Sequence, residues 1–227
     1  MKTLLLLFFS LLFINFGNTQ QSSFQSLFNG WDLSEWKVTT ENPDSFSVED
    51  GILVVKGGRA HLFYNGPIGN HDFKNFELRL KVKTMTNSNS GVYFHTQFQK
   101  SDWPQVGFEA QVNSSHSDPR KTGSLYGIAS VWVPQKSEPL NLVRLDRDGE
   151  IFNQVESAPS KDGEWFDYNI KVEDNHILIK VNGKVTVDWT QPKDWTKTRR
   201  IGQGTIGLQA HDPECLVYYK DIEIKLN

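Results

Sequence analysis

Short runs in which apolar and polar residues alternate recur from Ser26 to the end of the chain, with turn signals between them. A period of two places successive side chains on opposite faces of a strand, so this pattern commits the chain to β-structure. The run 106–112 shows it most fully. Val106, Phe108, Ala110 and Val112 share one face, and Gly107, Glu109 and Gln111 share the other. Two further runs repeat the design. Val92 and Phe94 stand opposite Tyr93 and His95, and Ile206, Leu208 and Ala210 stand opposite Gln209 and His211. A carboxylate, two amides and two imidazoles on otherwise apolar strands predict that the three polar faces line one concave surface, organised around Glu109.

The rest of the chain reads the same way. Phe46-Ser47-Val48 and Ile52-Leu53-Val54-Val55 flank Glu49-Asp50-Gly51, and the Asn182-Gly183 dipeptide separates two β-branched runs; both are hairpin signals. Residues 76–82 alternate Phe, Leu, Leu and Val against Glu77, Arg79 and Lys81. Segments 113–122 and 135–140 are irregular and rich in polar residues or proline, and 191–200 reads as a polar loop or a short helix. No longer segment has helical periodicity. The expected fold is all-β, a jelly-roll sandwich of two antiparallel sheets, in one domain spanning 26–227.

Lys2 followed by an apolar run at 4–16 reads as a signal peptide over about residues 1–20, which predicts an exported (periplasmic or extracellular) protein with no membrane segment after cleavage. The formal net charge of -3, without a cluster of Lys or Arg, argues against a nucleic-acid partner. Cys215 is the single cysteine, which excludes an intramolecular disulfide and a thiolate metal cluster. The core must then carry stability, and 15 Phe with 7 Trp supply the area for one.

On a sheet face Glu109 has three available roles: general base, ligand for a sugar hydroxyl, or partner of a cation such as Arg79. His95 and His211 are acid/base candidates, and either can instead be a satisfied surface or core residue. His95, Glu109 and His211 together would suit a divalent metal, although no tight H-E-x-x-H spacing marks such a site. Neither a G-x-S-x-G elbow nor a phosphate-binding glycine loop is present. The E-x-D-x-x-E pattern of many jelly-roll endoglucanases is absent too, which weakens a double-carboxylate hydrolysis. Trp103 is a candidate pocket wall for a sugar ring, whereas Trp36 is expected in the core. Asn113-Ser114-Ser115 matches a glycosylation sequon.

At these positions the sequence resembles the 3-keto-disaccharide hydrolase domain, a family also described as 3-keto-glucoside 1,2-lyase and 3-keto-2-hydroxy-glucal hydratase. The resemblance runs from about Phe28 to Leu226. It rests on Phe28-Asn29-Gly30-Trp31-Asp32-Leu33-Ser34-Glu35-Trp36, Glu49-Asp50-Gly51, Asn89-Ser90-Gly91-Val92-Tyr93-Phe94-His95, Gly107-Phe108-Glu109-Ala110-Gln111, Thr122-Gly123-Ser124-Leu125-Tyr126-Gly127 and 204–211, in that order. Three positions depart from the family pattern: Glu35 stands for Gly, His95 for Arg and Phe108 for Tyr.

The resemblance implies a concanavalin-like sandwich acting on an oligosaccharide or glucoside already oxidised at C3. A ketone at C3 acidifies the C2 proton; a base removes it, the C1 substituent leaves by elimination, and water adds to the resulting enone. That chemistry needs one base, donors for the enediolate oxygen and an acid for the leaving group. Glu109 and His211, with His95, are the expected catalytic groups. Gln111, Gln209, Tyr93, Tyr126, Asn89 and Trp103 are the expected substrate contacts. No cofactor is required, and a divalent metal could replace some donors. The competing expectation is a non-catalytic, lectin-like carbohydrate-binding module, which the same sandwich also supports.

Overall fold

The computed structural model describes residues 23–134, 143–145 and 148–227. The apolar run at 4–16 expected as a signal peptide, the whole of segment 135–140 and part of the turn at 146–149 lie outside them. In chain order the strands are β1 (Gln25–Ser26), β2 (Trp36–Val38), β3 (Phe46–Glu49), β4 (Ile52–Lys56), β5 (Ala60–Tyr64), β6 (Phe76–Thr84), β7 (Ser90–Thr96) and β8 (Phe108–Val112). There follow β9 (Ala129–Trp132), β10 (Val143–Leu145), β11 (Ile151–Gln154), β12 (Phe166–Glu173), β13 (His176–Val181), β14 (Lys184–Thr190), β15 (Thr205–Ala210) and β16 (Leu216–Leu226).

Two antiparallel sheets form the sandwich. The larger runs β14-β13-β12-β6-β16-β4-β3, with β1 on the edge of β16, and the smaller runs β2-β5-β15-β7-β8. A third, three-stranded sheet, β10-β11-β9, contains a parallel β9/β11 pair and adds to the expected two. Both hairpin signals hold. Asp50-Gly51 and Asn182-Gly183 carry φ values of 49°, 78°, 49° and 76°, the positive-φ pairs that a two-residue turn needs to follow the strand twist. The 191–200 segment forms no helix.

The larger sheet alternates as the sequence does. On β6, Phe76, Leu78, Leu80 and Val82 are buried and Arg79 is exposed. Their inward side chains meet Leu62, Val92, Phe94, Phe108, Ala110, Ile206 and Leu208 of the smaller sheet in one continuous core. Arg79 pairs with Glu223 on the outer face at 2.7 Å, so it is no partner for Glu109. Trp36 is in the core as expected, donating its indole N–H to Leu27 O at 2.9 Å.

The smaller sheet behaves differently. Every residue of β5, β7, β8 and β15 is buried, including the polar ones, because loops cover the face turned away from the core. Segment 122–126 lies along the outer edge of β8: Tyr126 N–H donates to Glu109 O at 2.9 Å and Gln111 N–H to Ser124 O at 2.9 Å. The edge that the sheet would otherwise leave open is thus paired. Asn113 is also consumed there. Its buried amide donates to Asp118 O and Arg120 O, both at 2.9 Å, so the sequon is not displayed as a surface loop.

β8 begins two residues later than the alternation implies. Val106 is solvent-exposed, and Gly107 (φ 88°) turns the chain into the strand. A methyl group at Gly107 would sit 2.5 Å from Phe94 O and 2.7 Å from His95 O. Gly107→Ala therefore combines a left-handed backbone cost of about 1–2 kcal/mol with a backbone clash. Gly51→Ala, at similar φ with open space around it, should carry only the backbone part, about 1 kcal/mol. Urea denaturation of the two variants should separate them clearly; equal losses would show that close packing at Gly107 contributes nothing.

Candidate active site

The covered face of the smaller sheet is a polar floor laid out by strand register. Tyr93 on β7 faces Glu109 on β8, and Gly91 faces Gln111; on the other flank Gly207 of β15 faces Tyr93, and Gln209 faces His61 of β5. The glycines are spatially required. A methyl group on Gly91 would lie 2.5 Å from Glu109 Oε1, so the carboxylate can rest flat on the strand only because that position has no side chain.

Glu109 is 5% exposed, and each of its carboxylate oxygens takes a hydrogen bond from a neighbour. Tyr93 Oη donates to its Oε2 at 2.8 Å, and Gln209 Nε2 reaches its Oε1 at 3.1 Å. Burial raises the Glu109 pKa above the usual carboxylate range; nearby Arg199, the Tyr93 hydroxyl and His211 pull in the opposite direction without cancelling it. Burial likewise raises the Tyr93 phenol far above its ordinary value, so it stays protonated and a donor. The strands beneath are held from the opposite sheet: Tyr168 of β12 reaches across the core to donate to Gln111 O at 2.9 Å.

Above this floor is a cavity of about 420 Å³, within the ~300–1,000 Å³ range of small-ligand pockets. Tyr93, Glu109, Gln111 and Gln209 form its base, with Asn89, Tyr126, Trp103 and His211 around it. The structure therefore gathers eight of the nine residues singled out from sequence. Gln111 Nε2 donates to Asn89 Oδ1 at 2.9 Å, while the buried side-chain oxygens Oε1 of Gln111 and Gln209 have no hydrogen-bond partner among the described residues. Buried acceptors left open in this way suit a ligand rich in hydroxyl donors.

His95 is the exception. Three residues of β7 (94–96) are set against two of β15, and His95 takes φ 52° in the resulting bulge. The bulge reverses the alternation. The ring packs against Phe76 and Phe94, each at 5.8 Å, and its nitrogens are occupied by Lys74 O at 2.8 Å and the Gly202 N–H at 3.3 Å. It lines a separate cavity with the 196–203 loop, and burial lowers its pKa. The expected His95–Glu109–His211 metal set is therefore not assembled. The His and carboxylate groups that do converge are His116, His211 and Asp212, whose ligand atoms all lie within 4.8 Å of one another.

Two lining residues were missed, Arg199 and Asp118. Both come from irregular loops, where no periodicity says which way a side chain points. Arg199 also lies over the Tyr126 ring, 5.2 Å from its centroid. Asp118 accepts the Arg120 backbone N–H at 2.8 Å. His61 was missed as well. It is fully buried against Tyr93 and Trp103 with no hydrogen-bond partner on either nitrogen among the described residues, and burial pushes its pKa down to about 4.

Fold and site thus define an all-β sandwich with a covered polar pocket on its smaller sheet, and the comparisons narrow that class. The chain belongs to the 3-keto-alpha-glucoside-1,2-lyase-like domain family, whose model matches residues 23–225. A 3-keto-disaccharide hydrolase of Bacteroides thetaiotaomicron is 22% identical over 88% of this chain and 77% of its own length. Among solved structures, a candidate glycosyl hydrolase of Parabacteroides distasonis superposes with a TM-score of 0.63 at 23% identity, covering 90% of this chain and all of that one. A β-glucanase of Bacillus licheniformis shares the fold at a TM-score of 0.54 and 11% identity, over 92% of this chain and 99% of its own.

The raised pKa of Glu109 has a sign that can be checked. An acid with a raised folded-state pKa stabilises the fold below its unfolded pKa and loses that contribution as pH rises through the folded value. Glu109→Gln should therefore melt at a higher temperature than wild type at pH 8, with the gain gone near pH 4. Thermal melts across that range measure it; a Glu109→Gln variant less stable at pH 8 would contradict the buried-charge cost.

Proposed function

We propose that the protein cleaves the glycosidic bond of glucosides oxidised at C3, by proton abstraction at C2, elimination across C1–C2 and addition of water. The observation that carries this reading is the buried Glu109 carboxylate, raised in pKa and held at the pocket floor by Tyr93 and Gln209. A carboxylate so placed is more basic than one in water and is suited to removing a carbon acid's proton. The family membership and the name of the Bacteroides relative support a glycoside-active enzyme of this kind. As a plain ligand for a sugar hydroxyl the same carboxylate would bear that desolvation cost without using its added basicity.

In the proposed cycle Glu109 takes the C2 proton and the electron pair moves to the C3 oxygen as an enediolate. Arg199, whose charge acts on Glu109 across the pocket, stabilises that oxygen. The C1–O bond then breaks as the C1=C2 double bond forms, and His211, as the imidazolium, gives a proton from its other ring nitrogen to the departing oxygen. Water adds to C1 of the enone and gives its proton to His211 while Glu109 returns a proton to C2, so both groups are restored and the sum is a hydrolysis. Trp103 and Tyr126 wall the ring, and Gln111 and Gln209 accept its hydroxyls through their free carbonyls. The leader at residues 1–20 supports an exported enzyme that meets its substrate outside the cytoplasm.

An aryl glucoside oxidised at C3 and its unoxidised parent, incubated with the protein in deuterated water, provide the test. Aglycone should leave the keto compound alone, with deuterium at C2 of the sugar product. Release from the parent, or no label at C2, rules the mechanism out. Glu109→Gln should lower kcat by about 10²–10⁴-fold. The kcat/KM profile should rise with pH through an inflection above the ordinary glutamate pKa of about 4.3, because the base works only when ionised. Gly91→Ala should leave the fold intact but displace the carboxylate, lowering kcat by at least about tenfold.

A further inference from the structure

His211 does not stand alone at the pocket wall. It follows the last residue of β15, and its Nδ1 lies 3.0 Å from Oδ2 of Asp212, the next residue. The same carboxylate oxygen is 3.3 Å from Nε2 of His116, which comes from the 113–122 loop. Oδ1 of Asp212 accepts the Glu214 N–H at 3.1 Å, so the carboxylate is fixed from its other side. Neither His116 nor Asp212 belongs to the resemblance motifs, and neither is used by the cycle above.

The protons in this cluster can be assigned from its hydrogen bonds. Nδ1 of His116 faces the Asp118 backbone N–H at 3.1 Å and the Asn89 amide nitrogen at 3.4 Å, both donors, so it carries no hydrogen. The His116 proton is then on Nε2, the nitrogen that lies 3.3 Å from Asp212 Oδ2. An ionised carboxylate only accepts, so the Nδ1 of His211 must also be the protonated nitrogen. Oδ2 of Asp212 thus accepts the Nδ1–H of His211 and has Nε2 of His116 beside it at 3.3 Å, without hydrogen-bond geometry. The same assignment argues against a metal among these three groups, because a metal would need the Nε2 lone pair of His116 and would leave its Nδ1–H facing two donors.

We propose that Asp212, seconded by His116, is a positioning residue that locks the proton of His211 on Nδ1, leaving Nε2 as the nitrogen that exchanges a proton with the substrate. The inference rests on the reading of His211 as the acid above. Fixing an imidazole tautomer through a carboxylate on the far nitrogen is the role that the aspartate plays in serine-protease triads. His116 ties that lock to the loop over the pocket, which is itself braced: Lys121 Nζ donates to His116 O at 2.6 Å and to Asp118 O at 2.9 Å. Trp103 holds the other side of His211, with ring centroids 5.1 Å apart.

Imidazole nitrogen NMR on the full chain tests this independently of turnover. In wild type near pH 8, His211 should show a protonated Nδ1 and a bare Nε2, and His116 the reverse. Asp212→Ala should let the Nε2–H form of His211 appear, lower kcat on the C3-oxidised glucoside by about tenfold to a hundredfold, and leave KM within about threefold. His116→Phe should lower kcat less than Asp212→Ala and keep the His211 tautomer mainly Nδ1–H. An unchanged tautomer in Asp212→Ala overturns the proposal. So does stoichiometric loss of the His116 and His211 signals on adding Zn²⁺ or Mn²⁺ to wild type but not to His116→Phe, which would make the cluster a metal site. A tautomer that shifts as expected in a protein inactive on the keto glucoside would sink the enzymatic reading instead and leave the lock standing.

Discussion

Burying a carboxylate on a sheet face costs free energy unless donors replace water, and much of this structure is arranged around meeting that requirement at Glu109. Tyr93 supplies one donor from the adjacent strand β7 and Gln209 the other from β15, one strand further on. Gly91 supplies the room, and Arg199 the compensating charge. Each must stand in a fixed register, so the site depends on the antiparallel order β5-β15-β7-β8 in the same way that the core does. The penalty is only partly offset, which is why the pKa remains raised. That residual is useful chemically, since it makes the carboxylate a stronger base than it would be in water.

The two sheets divide the work. The larger one alternates cleanly, with its apolar face in the core and its charges paired on the outside, as Arg79–Glu223 and Lys81–Asp167 are. The smaller one has its core face against that layer and its polar face under loops. Those loops are fixed by polar contacts of their own, among them Arg120 donating to both Glu150 oxygens at 3.0 and 2.8 Å and Ser160 donating to Thr122 at 2.8 Å. Rigid strands therefore place the base and amides, while loops bring Arg199, Asp118, Trp103 and His116. This division is common where sites sit on rigid scaffolds.

The misplacement of His95 has a specific cause. Alternation assumes one residue per step, and a single extra residue in β7 turns the next side chain to the opposite face. Val106 fails because Gly107 turns the chain and β8 starts only at Phe108, after the apolar pattern has begun. Arg79 was a reasonable partner for Glu109 by charge alone, but the two lie on different sheets. Arg199, Asp118 and His116 were invisible for lack of any periodic frame. His61 looked like one of several histidines until its fully buried position beside Trp103 and Tyr93 became apparent.

The period-two pattern and its turn dipeptides by themselves determined an all-β sandwich, its hairpins, and the common face of Tyr93, Glu109, Gln111 and Gln209. Those are local properties, fixed by the pleat and by which residues tolerate positive φ. Tertiary structure alone decided that this polar face is covered rather than solvated. It also decided that His95 leaves the site and that Asp212 and His116 meet at His211. Such outcomes depend on which loops fold over which sheet and on one inserted residue, and neither leaves a mark in the spacing of apolar residues.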